Sequence, residues 1–126
     1  RFDGWQAYSN SKLANIYFSH LLAEKLRDTG VVCNSLCPGL IDTNFMHTNS
    51  VFSEAAQARM GPIMRPPEQG ADVPVYLATA AETADVSGQF FIRDGNDKGR
   101  MVPLRWDRDT AERLWTISCD YVADWL

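Results

Sequence analysis

The stretch AYSNSKLANIYF, residues 7–18, sets a phenol, Tyr8, four positions before an ammonium, Lys12, at the head of an apolar run. Leu13, Ile16, Tyr17, Leu21 and Leu22 continue the run at helical spacing, and Ala14, Phe18 and Leu26 widen the stripe. The pattern predicts a helix over residues 7 to about 28, with an apolar girth broad enough to pack on more than one face. Charges gather at its end in Glu24, Lys25, Arg27 and Asp28, and Gly30 supplies a stop.

On a helix, positions i and i+4 share a face, so Tyr8 and Lys12 can reach one site. A free phenol has a pKa of about 10 and is a poor base at neutral pH. An ammonium held at ~4 Å, in an effective dielectric of ~20, favours a phenolate by up to ~4 kcal/mol. That corresponds to roughly three pKa units, enough for proton transfer near neutrality; desolvation takes part of it back. Taken alone, the spacing better suits a core tyrosine and a solvated lysine.

VVCNSLCPGLIDT, residues 31–43, carries the second signal. Val31 to Leu36 has the look of a strand buried on both faces, as in a parallel sheet, and Pro38 and Gly39 end it. The Pro-Gly begins 30 positions after Tyr8, where an open α/β sheet places its ligands. Gly39 lets backbone approach a flat ring closely, and Thr43 offers a hydroxyl and a helix cap.

Further on, residues 40–66 read as irregular, with helical spacing around Ser53 to Met60. Pro67 opens a helix to about Ala81, and Pro74 inside it predicts a kink or a late start. Ser87 to Asp94 reads as a strand and Gly95 to Lys98 as its turn. Asp109 with Glu112 suggests a capping box on a last helix whose apolar face carries Leu114, Trp115, Val122 and Trp125.

Composition excludes several classes. The net charge is −4 and no basic stripe stands out, against nucleic-acid binding. No run of about 18 apolar residues marks a transmembrane helix in this stretch. The first residue is Arg1, so an anchoring or targeting segment upstream stays open. Cys33, Cys37 and Cys119 form no C-x-x-C. They read as packed free thiols of an intracellular, reducing compartment, cytoplasmic or on a cytoplasm-facing membrane. His20 and His47 have no partners at metal-ligand spacing.

Together, Y-S-N-S-K-L-A-N, the long helix, the strand V-V-C-N-S-L-C and P-G-L-I-D-T resemble the C-terminal half of a classical short-chain dehydrogenase/reductase. S-K-L-A-N, F-F-I-R-D and A-E-R-L-W-T-I-S look most like its retinol dehydrogenase-like branch. The resemblance implies the C-terminal half of a Rossmann-type, doubly wound parallel sheet, with residues 1–126 one catalytic part of a single NAD(P)-binding domain. It implies that Tyr8 exchanges a proton with the carbonyl or alcohol oxygen, and that Lys12 makes the phenol more acidic and hydrogen-bonds the nicotinamide ribose. Pro38 and Gly39 would line the nicotinamide ring; the Ile41 backbone and Thr43 would meet its carboxamide. The cofactor implied is NADP(H) rather than NAD(H). The small-molecule substrate would be an alcohol or carbonyl, with residues 44–64 covering a bulky apolar one such as a retinoid, steroid or lipid aldehyde. Ser9 and Ser11 are not matched to the family's catalytic serine.

In the family that serine, the Gly-rich phosphate loop and the Asn-Asn-Ala-Gly stretch stand upstream of the tyrosine, where only seven residues stand here. The chain thus looks like the last third to half of an enzyme, with an open sheet edge and an uncovered apolar face. A truncated, non-enzymatic interaction module is the competing expectation. An unrelated α/β binding protein is a third; it requires both motifs to be accidental, and its test is whether Tyr8 and Lys12 point at the same cleft as Gly39. The 126 residues alone are expected not to turn over substrate. Carbonyl reduction by this purified chain with NADH or NADPH would refute that.

Overall fold

The computed structural model describes residues 1–48, 53–93 and 99–125, with only the backbone described at Met46 and His47. Val51, Phe52, Asp94 and the expected turn at Gly95 to Lys98 lie outside the described residues.

The first helix, α1, spans Gly4–Lys25. It starts a turn before the expected position because Asp3 caps it. The Asp3 Oδ1 accepts from the Trp5 and Gln6 N–H groups at 2.9 and 3.1 Å, satisfying donors that have no intrahelical partner. The helix also ends earlier, at Lys25. Asp28 and Gly30 take positive φ, 65° and 78°, and the Thr29 hydroxyl donates to the Leu26 carbonyl at 2.6 Å. A local turn, not the glycine alone, stops the helix.

Among the described residues three strands, β1 (Ser35–Cys37), β2 (Phe90–Arg93) and β3 (Gly99–Val102), form one sheet in the order β1-β2-β3. Strand β1 runs parallel to β2, with Ser35 opposite Phe90 and Cys37 opposite Ile92. Strand β3 closes on β2 in antiparallel fashion. The molecule is therefore α/β, a partial Rossmann-type arrangement whose sheet is mixed rather than wholly parallel. The strand β3 has no counterpart in the sequence expectations, since G-R-M-V before Pro103 lacks a clear period-2 pattern.

Strand β1 is shorter than expected. Before Ser35 the chain is tied to residues 86–89 mainly through side chains. The Asn34 amide donates to the Val86 carbonyl at 2.6 Å and the Cys33 N–H donates to the Ser87 hydroxyl at 3.0 Å. Nor is it buried on both faces: Val31 is 55% and Val32 39% exposed, and β1 pairs on one side only among the described residues. Cys33 and Cys119 are half-buried free thiols, but Cys37 is exposed, against the expectation of packing.

Between β1 and β2 the chain forms α2, Asn44–Thr48; α3, Glu54–Met60; a 3₁₀ turn at Gly61–Ile63; α4, Pro67–Gly70; and α5, Asp72–Thr79. The expected helix from Pro67 is thus two helices. The break falls at Ala71, and Pro74 occupies the third residue of α5. In a first turn its missing N–H would have had no partner, so the proline costs little there.

The last helix, α6, spans Arg108–Tyr121. The expected Asp109–Glu112 capping box does not form. Asp107 is the cap, its side chain accepting from the Asp109 N–H at 3.2 Å and the Thr110 hydroxyl at 2.6 Å. Glu112 instead accepts from Arg108 Nε at 2.9 Å. Arg108 also meets Glu24 of α1 at 2.8 Å. Glu112 first, then Glu24, raise its pKa further above its ordinary value. Helix α6 lies on α1, where Phe18 stacks on Trp115 at 5.3 Å and Lys25 Nζ stands 4.9 Å from the Trp115 ring centroid. Trp125 falls past α6 and is 88% exposed, so it is not part of an apolar face buried by the fold. Helix α1 likewise buries only His20 and Leu21 fully, leaving Leu13 and Phe18 in part exposed.

The centre of the molecule is small: Leu21, Val73, Phe91 and Ala111 are its buried apolar residues among those described. Gly99 sits against it. A Cβ there would stand 2.9 Å from Val73 Cγ1 and 3.1 Å from Phe91 Cδ1, and Val73 is fully buried and cannot give way. Gly99→Ala is expected to destabilise the fold by about 1–3 kcal/mol through overpacking, read as a lower urea midpoint at unchanged slope.

Candidate functional site

Tyr8 and Lys12 both lie inside α1, one turn apart, because the Asp3 cap sets the helix start well before them. Tyr8 is half-buried and Lys12 exposed. Lys12 Nζ stands 5.4 Å from the Tyr8 ring centroid. At that range the ammonium is drawn to the negative face of the ring, so the cation is already held beside the phenol.

The ring is also bracketed by aromatics. Trp5 stacks on Tyr8 with centroids 5.7 Å apart and planes 28° from parallel. Phe45, from α2, lies 5.7 Å from Tyr8 with planes at 32°. Both separations fall in the range where offset rings attract. The pair limits where the phenol can turn. Ser11, exposed, donates its hydroxyl to the Tyr8 carbonyl at 2.7 Å and so serves the helix.

The second part of the site is the turn after β1. Gly39 has φ 92°, a backbone state that strains any residue bearing a Cβ. A Cβ there would meet nothing within 4 Å. The glycine is thus set by backbone conformation, and it leaves an open approach to the main chain. Next to it the loop is pinned across the molecule. Arg65 N–H donates to the Leu40 carbonyl at 3.0 Å, and Asp42 N–H donates to the Arg65 carbonyl at 2.8 Å, making a one-residue parallel bridge between Ile41 and Arg65. Thr43 immediately precedes α2.

These parts meet. Tyr8, Lys12, Pro38, Gly39, Ile41 and Thr43 all line one cleft of about 490 Å³, the size of a small-molecule site. All six candidate residues are brought together. An unrelated α/β protein would require both motifs to be accidental, and their meeting in one cleft speaks against it. The cleft is mostly apolar around one phenol, one ammonium and the loop's main chain. It can hold a flat ring against Gly39 and present a proton-bearing oxygen and a cation to its neighbour.

Trp5, Phe45, Met60 and Gly70 also line the cleft. Neither Trp5 nor Gly70 is a site candidate on sequence grounds. Trp5 could have been found from helical spacing, since it lies one turn before Tyr8; Gly70 had no local signal. From the apolar segment 44–64, Phe45 and Met60 reach the cleft, while Ile63 is 64% exposed. His20 is structural: its Nδ1 lies 3.1 Å from the Ile16 carbonyl and its ring 5.5 Å from that of Trp106.

A family model described as short chain dehydrogenase matches residues 1–53, which include Tyr8, Lys12 and the Pro-Gly turn. Human retinol dehydrogenase 13 is 38% identical over 127 aligned positions, covering 97% of this chain and 38% of that protein. Human retinol dehydrogenase 14 is 36% identical, covering 88% and 33%, and retinol dehydrogenase 12 of Mus musculus is 34% identical, covering 90% and 35%. The chain thus spans about a third of the length of these curated relatives. With the motifs, the cleft and the relatives in agreement, the chain belongs to the short-chain dehydrogenase family, in its retinol dehydrogenase-like branch.

Proposed function

We propose that this chain carries the acid–base and nicotinamide-facing part of an NAD(P)-dependent oxidoreductase that interconverts an alcohol and a carbonyl. The observation that supports it is the convergence of Tyr8, Lys12, Pro38, Gly39, Ile41 and Thr43 on one cleft. In the same proposal, residues 1–126 form the C-terminal catalytic part of a single Rossmann-type domain.

The residues fit the nicotinamide end of such a cofactor. Gly39 leaves its side of the loop open, and flat rings need that close approach to backbone. When bound, the nicotinamide supplies or takes up the hydride. Pro38 and Gly39 line its ring. The Ile41 backbone and Thr43 would hold its carboxamide. Lys12 hydrogen-bonds the ribose and keeps a positive charge beside the phenol. Tyr8 gives its proton to the carbonyl oxygen during reduction, or takes one from the alcohol during oxidation.

The proposed substrate is bulky and apolar: a retinoid, a steroid or a lipid aldehyde. The apolar lining from Trp5, Phe45 and Met60 and the names of the relatives support that class. The choice of NADP(H) over NAD(H) rests on the retinol dehydrogenase-like branch alone. Among the described residues no helix is long and apolar enough to cross a membrane.

In the parent enzyme, Tyr8→Phe removes the proton donor and little volume. Turnover is expected to fall roughly 10²–10⁴-fold while dinucleotide binding stays nearly unchanged. Unchanged turnover in steady-state assays with an apolar aldehyde would sink the assignment. Lys12→Ala is expected to lower both turnover and dinucleotide affinity, because the lysine has two roles. A loss confined to one of the two would remove the other role.

A further inference from the structure

The loop that carries Ile41 is seated on Gly70, the last residue of α4. A Cβ built at Gly70 would stand 3.1 Å from Ile41 Cγ1, 3.2 Å from Cγ2 and 3.4 Å from Cδ1. All three distances are shorter than the ~3.5–4.0 Å of ordinary carbon contact, the first two clearly so. Both Cγ atoms hang from one Cβ, so any staggered χ1 leaves at least one of them in the crowded space. The side chain is also stiff at χ1 because it is β-branched. The main chain is restrained too, since the bridge to Arg65 brackets Ile41 on both sides.

Gly70 is not needed for its backbone freedom. Its conformation is helical, and it is not among the glycines with positive φ. Alanine would favour the helix. What glycine supplies here is space for Ile41. Gly70 and Ile41 line the same cleft as Tyr8 and Lys12, so a methyl group at position 70 would press on a residue of that cleft.

We propose that Gly70 is a positioning residue: by leaving room for the Ile41 side chain, it sets the Ile41 main chain at the height the dinucleotide's carboxamide requires. The inference rests on the cofactor role of Ile41 proposed above.

The test is a double-mutant cycle in the parent enzyme, with dinucleotide affinity titrated by fluorescence using NADPH and NADH. Gly70→Ala is expected to weaken binding about five- to tenfold and to raise the dinucleotide KM more than it lowers kcat. In an Ile41→Ala background, which removes all three crowded atoms, adding Gly70→Ala is expected to change nothing further. Unchanged affinity in Gly70→Ala, or an equal loss in both backgrounds, overturns the proposal. If Gly70→Ala alone does not fold, the double variant decides. Folding and binding restored to the level of Ile41→Ala support the proposal; a double variant that also fails to fold overturns it. If the unmodified enzyme binds neither dinucleotide, the functional proposal falls and takes this one with it. If the unmodified enzyme binds and Gly70→Ala binds equally well, this one falls alone.

Discussion

The parallel pairing of β1 with β2 is the contact on which the site depends. Its register, Ser35 to Phe90 through Cys37 to Ile92, determines where β1 stops and therefore where Pro38 and Gly39 turn. A parallel pair needs a long crossover, and here that crossover is the whole of residues 38–89. It must leave the end of β1, pass the cleft, and return to the start of β2. The cleft therefore lies at the carboxyl end of β1, beyond the last strand residue, as open α/β sheets place ligands.

Helix α1 brings the other half. It packs on β1 along one side and on α6 along another, and its Asp3 cap fixes the register that turns Tyr8 and Lys12 toward the loop. The phenol is then held by neighbours of three kinds: an indole before it in the helix, a phenyl ring from α2, and the lysine cation over its face. Each such contact contributes on the order of 1 kcal/mol. Their combined effect is to narrow the positions of one oxygen. On the far side, the crossover returns past the loop at Arg65 and Gly70, so that segment both leads to β2 and braces the Pro-Gly turn.

Much of this was legible in the residues, and the limits have physical reasons. Tyr8 and Lys12 declared themselves because i and i+4 is a property of any helix. Pro38-Gly39 declared itself because those residues can do few other things at a strand end. Pro74 predicts a kink or a late start on local rules; the break falls at Ala71, and α5 starts at Asp72, which leaves the proline in a first turn where its missing donor is harmless. Asp109 was read as part of a capping box, but Asp107 reached the helix end first and Glu112 was drawn to Arg108. Two caps of similar strength lay within two residues, and tertiary placement of Arg108 against Glu24 accompanies the one that formed. The short strand β3 had no periodicity to reveal it; it is a strand because β2 offers it an edge.

By itself the sequence determined the chemistry on offer: a phenol and an ammonium on one helix face, a glycine that must turn after a strand, and an apolar segment between. Those are properties of short stretches, set by backbone geometry and side-chain type. Tertiary structure alone decided that the two stretches share a cleft, that Phe45 flanks the phenol, and that Gly70 seats Ile41. Each of these joins residues from separate elements, from α1 to α2 or from the β1 loop to α4. The distance between such residues is fixed by how the helices settle on the sheet, which no local spacing encodes.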